Sequence, residues 1–140
     1  MMKTPILLII FNRPELVELN LDILANVKPR NLYISCDGAR EGSSTDQEKI
    51  DSCLRVCEQK ITWKCDVKYN LSSKNLGCKH GVTSGINWFF DNEPHGIILE
   101  DDCLIDCSFC EFASEMLDLY QNEDKIFMVA ADGRATKHLN

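Results

Sequence analysis

The strongest constraint on this chain is a recurrence of short, unbroken apolar runs, each ending in polar residues. Residues 5–11 read P-I-L-L-I-I-F, 31–36 read N-L-Y-I-S-C, 96–102 read G-I-I-L-E-D-D and 126–131 read I-F-M-V-A-A. Apolar runs of roughly four to eight residues between turn signals predict strands buried on both faces, the pattern of a parallel sheet. Residues 61–69 differ. Ile61, Trp63, Cys65, Val67 and Tyr69 alternate with polar residues, which predicts a half-exposed strand near a sheet edge.

Helical patterns fill the spaces between these runs. Asn12 is placed to cap a helix, with Pro14 and Glu15 in its first turn and Leu16, Leu19, Asn20, Ile23 and Leu24 on its inner face until Pro29. Thr45 and Glu48 fit a capping box ahead of Ile50, Cys53, Leu54 and Cys57. Residues 41–46 before it are polar and read as a mobile loop, and residues 70–77 read as a loop. In the next helix Val82, Ile86, Phe89 and Phe90 face inward, while Gly81 and Gly85 permit close approach. Ser108 and Glu111 form a second capping box, opening a helix whose inner face is Phe109, Phe112, Ala113, Met116, Leu117 and Tyr120. Strand and helix alternate throughout. This predicts an α/β fold, a Rossmann-like, mostly parallel sheet with helices on both faces. No repeat, low-complexity tract or linker divides it, so residues 1–140 read as one domain.

Charge and hydropathy narrow the function. The formal net charge is −7 and the isoelectric point about 4.9, leaving no basic face for nucleic-acid phosphates. No apolar stretch reaches the roughly 18 residues of a transmembrane helix, and the N-terminal run lacks a signal-peptide cleavage site. The expected location is cytoplasmic. There the eight cysteines read as free thiols that pack as small hydrophobes.

In parallel sheets ligands bind beyond the carboxyl ends of the strands. The polar residues needing explanation sit at those ends: Asn12 and Arg13, Asp37, the triplet Glu100, Asp101 and Asp102, and Asp132. The first strand is followed by neither G-x-G-x-x-G nor G-x-x-x-x-G-K-[ST], so a glycine cradle for phosphates is absent. The glycine-rich, arginine-containing loop of sugar-1-phosphate nucleotidylyltransferases is absent too. Three adjacent carboxylates repel one another unless a cation or donors offset them. A hard divalent ion (Mn2+ or Mg2+) shared between one carboxylate and a substrate diphosphate, with Arg13 beside it, meets that need. On an extended segment Glu100 and Asp102 point to one side and Asp101 to the other.

The stretch N-L-G-C-K-H-G-V-T-S-G-I-N-W-F-F-D-N-E-P-H-G-I-I-L-E-D-D-C-L-I-D-C-S-F resembles the core of GT-A-fold glycosyltransferases, which are nucleotide-diphospho-sugar transferases. It is similar in particular to bacterial members related to the N-acetylglucosaminyltransferase I group, which carry E-D-D in place of the DXD motif. I-I-F-N-R-P, Y-I-S-C-D-G and M-V-A-A-D-G extend the likeness over most of the chain. The resemblance implies a metal-dependent glycosyltransferase that moves a sugar from a nucleotide-diphosphate donor to a saccharide or other acceptor. Asp102 would bind the metal, and Asp101 and Glu100 the ribose or sugar hydroxyls. Asp37 would meet the base, and Arg13, with Asn12 beside it, the base or diphosphate. Members of that family continue past the last strand into an acceptor-binding region that supplies the catalytic base. This chain stops at Asn140, which implies a donor-binding domain lacking the acceptor part. Asp132 is the one acceptor-side catalytic candidate, against its plainer reading as a turn aspartate before Gly133.

Other readings stay open. Cys103-x-x-x-Cys107-x-x-Cys110 matches the iron–sulfur triplet of radical S-adenosylmethionine enzymes letter for letter, although about thirty residues remain to build the barrel that follows it there. The same thiols could serve zinc if a fourth ligand joined them. A non-catalytic nucleotide-sugar-binding module, or a fragment of a longer enzyme, is the remaining alternative.

Overall fold

The computed structural model describes residues 1–130. Four parallel strands form one sheet: β1 (Ile6–Ile10), β2 (Asn31–Cys36), β3 (Asp66–Leu71) and β4 (Ile97–Glu100), in the order β3-β2-β1-β4. The helices α1 (Pro14–Val27), α2 (Asp46–Lys60), α3 (Gly77–Phe90) and α4 (Cys107–Tyr120) alternate with them. This is the Rossmann-like α/β architecture predicted from the alternating pattern.

Period-two alternation within each strand divides the sheet between two cores. Ile6, Leu8, Ile10, Leu32, Ile34, Cys36, Ile97 and Leu99 face α1, α2 and α4. Leu7 and Tyr33 face α3, where Phe89 packs edge-on against Tyr33 with ring centroids 5.0 Å apart. The direction of travel across the sheet reverses after β3. A right-handed connection therefore carries α3 to the face opposite α1 and α2. Glycine makes the α3 contact possible. A Cβ on Gly85 would stand 2.7 Å from Ser35 Oγ, and one on Gly81 3.2 Å from the Asp37 carboxylate.

Local expectations fail where a neighbour claims the side chain. Arg13, not Asn12, occupies the cap position of α1, because the Asn12 amide is bonded to Asp46. The buried stripe of α1 is Val17, Asn20, Leu21 and Leu24, and Leu19 lies outside it, since α1 is wedged between α2 and α4. Neither capping box forms. Thr45 makes no side-chain cap, and α4 is capped by Asp106, whose carboxylate accepts from Ser108 N at 2.9 Å. Residues 41–46 are anchored through the buried Asp46 rather than loose.

The edge strand begins at Asp66 instead of Ile61. Residues 61–65 are used in leaving α2, with Ile61 N bonded to Cys57 O and the Trp63 indole to Pro29 O. Phe90 and Phe112 face solvent. Residues 126–130 form no strand, and Phe127 is 94 % exposed, so among the described residues β4 is the second edge of the sheet. Ala131 and Asp132 lie outside the described residues.

Candidate functional site

The site is built at the carboxyl ends of β1, β2 and β4, against the first turns of α3. A cavity of about 290 Å³ opens there, lined by residues 9–11, Arg13, Ser35, Asp37, Arg40, Asn75, Glu100, Asp101 and one side of α3 from Gly77 to Val82. It lies at the lower end of the size range of small-molecule sites. It also sits where strand order reverses, the usual position for ligands in such sheets.

The three carboxylates of the triplet have different environments. Asp101 is 2 % exposed. Its backbone continues the ladder, with N bonded to Ile9 O at 3.0 Å and O accepting from Asn20 Nδ2 at 2.8 Å. Its carboxylate accepts from Phe11 N at 3.3 Å and pairs through Oδ1 with Arg13 Nη2. Burial raises the Asp101 pKa, with the Arg13 charge and the Phe11 N–H pulling the other way. For Arg13, burial works against the charge, but Asp101 and Asp102 outweigh it and the guanidinium is held more firmly protonated. Asp101 is therefore a positioning group for Arg13 and the end of β1. Each of its oxygens already accepts one hydrogen bond, and the residue also lines the cavity.

Glu100 and Asp102 are exposed, but β4 ends at Glu100 and residues 101–102 form a turn, with Cys103 N bonded to Glu100 O at 3.0 Å. The alternation expected of an extended segment therefore does not run through the triplet. Asp102 is 52 % exposed; its Oδ2 accepts from Arg13 Nη1 at 3.0 Å, and Oδ1 meets only the Cys103 thiol, at 3.9 Å. Among the described residues the Glu100 carboxylate has no hydrogen-bond partner.

Asp37, expected to meet the base, lines the cavity. Its carboxylate accepts from Gly38 N, Leu76 N and Gly77 N at 2.9–3.0 Å and from Asn75 Nδ2 at 3.1 Å. It is the remote cap of α3, holding the helix end that walls the cavity. Asn12 is not among the residues lining the cavity; its Nδ2 donates to Asp46 Oδ1 at 2.8 Å.

Arg40, Asp46, Ser35 and Asn75 were missed by sequence reasoning. Arg40 grips the buried Asp46 through Nε at 2.6 Å and Nη2 at 2.8 Å, and its guanidinium carbon sits 5.5 Å from the Phe11 ring centre. Arg40 is the chief reason the Asp46 carboxyl is held far below the usual carboxylate range, and the Asn12 amide assists. The six-residue separation of Arg40 and Asp46 carries no recognisable pattern, so only the fold reveals this pair.

The cysteine triplet does not form a cluster. Cys103 is exposed while Cys110 is buried in the core beneath α4, where burial pushes its thiol up to about 11. Among the described residues no three His, Cys, Asp or Glu side chains converge at metal-holding distance. No helix among them is long and apolar enough to cross a membrane.

The fold and site define the class: a Rossmann-like α/β domain with a polar cleft at the carboxyl edge of its sheet. No protein-family model, curated protein or solved structure matches the chain.

Proposed function

We propose that the chain is the donor-binding domain of a metal-dependent glycosyltransferase, taking a nucleotide-diphosphate sugar. The observation that carries this reading is the pairing of Arg13 with the half-exposed Asp102, with Arg13 and Glu100 both lining a cavity large enough for part of such a ligand. A strand order that reverses at this point favours nucleotide-type ligands generally.

Mn2+ or Mg2+ fits the donor set. Glu100, and Asp102 Oδ1, which meets only the Cys103 thiol at 3.9 Å, offer hard carboxylate oxygens, the kind these ions share with diphosphates. Asp102 would hold the ion, with Glu100 beside it. When bound, the ion neutralises charge developing on the departing nucleoside diphosphate. The chain's own residues do the rest. Arg13 donates to diphosphate oxygens while Asp101 keeps its guanidinium in place. Asp37 holds the α3 wall at close range, and Asn75, Ser35 and Arg40 present polar atoms to the ligand's neutral portion. The eight free thiols suit a reducing compartment, and we place the reaction in the cytoplasm.

Calorimetry of the full chain with UDP and GDP, with and without Mn2+, tests this reading. At least one should bind with the metal and about tenfold or more weakly without it, and Asp102→Asn should abolish the difference. Metal-independent affinity unchanged by Asp102→Ala would overturn it. Measuring release of free sugar from a bound UDP- or GDP-sugar separates an enzyme from a non-catalytic binding module.

A further inference from the structure

We infer that Arg13 is a built-in counter-ion that competes with a metal ion for Asp102 until a diphosphate draws the guanidinium away. The inference rests on the metal-dependent reading above and adds to it an order of events at the same site. Its basis is the asymmetry of the two Arg13 ion pairs. Nη2 is fixed to Asp101, which is 2 % exposed and held at its peptide N–H, its peptide carbonyl and its carboxylate. Nη1 reaches the half-exposed Asp102 at 3.0 Å. The first pair is an anchor. The second can open by a small rotation of the guanidinium about the first, because both Arg13 and Asp102 retain solvent contact, at 44 % and 52 % exposure.

While Nη1 holds Asp102 Oδ2, a divalent ion approaching that carboxylate meets a positive charge and must displace it. A diphosphate supplies other acceptors for Nη1, and bidentate recognition of phosphate oxygens suits the guanidinium's geometry. Metal and diphosphate then bind as a pair, each raising the other's affinity by the same factor. The metal binds more weakly when it arrives alone. This sets Arg13 apart from an ordinary positioning residue, whose removal would weaken metal binding.

Mn2+ titration followed by the electron paramagnetic resonance signal of the free ion tests the point without reference to turnover. Wild type, Arg13→Gln, Arg13→Lys and Asp102→Asn are compared, each with and without UDP or GDP. Release of a solvent-exposed ion pair should let Arg13→Gln bind Mn2+ alone roughly two- to fivefold more tightly than wild type. Arg13→Lys, which keeps the charge, should stay near wild type, and Asp102→Asn should bind no Mn2+ here. If Arg13→Gln folds poorly with Asp101 left unpaired, the double variant Arg13→Gln/Asp101→Asn removes that buried charge and should show the same gain. Equal or weaker Mn2+ binding by the Arg13→Gln chain, alongside intact Mn2+–nucleotide binding in wild type, overturns the inference. Absence of Mn2+ binding to every chain, with or without nucleotide, overturns the metal-dependent reading and the inference with it.

Discussion

The carboxylate of Asp37 accepts the backbone N–H of Gly77 at 3.0 Å, so the tip of β2 caps α3 across a gap of forty residues. Leu76 N donates to the same carboxylate, and Gly81 lies close enough that any side chain there would press on it. Asp37→Ala leaves several helix-end donors without their partner and should cost about 1–2 kcal/mol, the usual effect of losing a helix cap. Asp37→Asn keeps an acceptor and should lose less. Chemical denaturation of the three chains checks this order. Weaker ligand binding should accompany the loss of stability, because the cavity wall moves with the helix.

Two buried carboxylates should respond to pH with opposite signs. Burial raises Asp101, so the folded chain holds this proton more firmly than the unfolded chain. Its stabilising term is complete below the ordinary carboxylate pKa and is lost as pH rises through the higher folded value. Asp46 is lowered, chiefly by Arg40. Its term is present above the ordinary value and is lost as pH falls toward the depressed one. Melting temperatures from about pH 3 to about pH 7 should show the advantage of wild type over Asp101→Asn shrinking as pH rises, and that over Asp46→Asn growing.

The seam between α3 and β2 leaves no room for a methyl group. A Cβ at Gly85 would lie 2.7 Å from Ser35 Oγ and 3.0 Å from its Cβ. Gly85→Ala should destabilise by about 1–3 kcal/mol through overpacking, despite alanine's better helix propensity. Adding Ser35→Gly removes the obstacle and should restore part of the loss. A double-mutant cycle by denaturation measures the recovery.

Thiol reactivity should report on both core and site. Cys36, Cys53, Cys57 and Cys110 are buried, with burial pushing their thiols up to about 12, 11, 12 and 11. They should resist alkylation until the chain unfolds. Cys78 and Cys103 are exposed and should react first. Cys78 lines the cavity and Cys103 does not. A bound nucleotide should therefore slow modification at Cys78 while leaving Cys103 little changed, as peptide mass spectrometry of partly alkylated protein would show.

Much of the fold was legible because apolar runs and helical spacing are local signals. Asn31–Cys36 came out with its expected bounds, and Gly81 and Gly85 do bring α3 close to the sheet. Side-chain roles were less legible because they depend on partners distant in sequence. Asp101 and Asp37 stood out as strand-end acids, but nothing local says that Phe11, Arg13, Leu76 and Gly77 already use their oxygens. The run at 126–131 shows the limit from the other side. Strand-like composition puts no residue in a sheet without an edge partner, and residues 126–130 pair with none among the described residues.

The doubly tied peptide of Asp101 has a kinetic corollary. With the N–H committed to Ile9 and the carbonyl to Asn20, the main chain under the cleft has nowhere to go when an occupant arrives. Adjustment is left to a few side-chain torsions. Capture should therefore need no main-chain shift at Asp101, and an occupant's lifetime there should follow how readily those torsions relax.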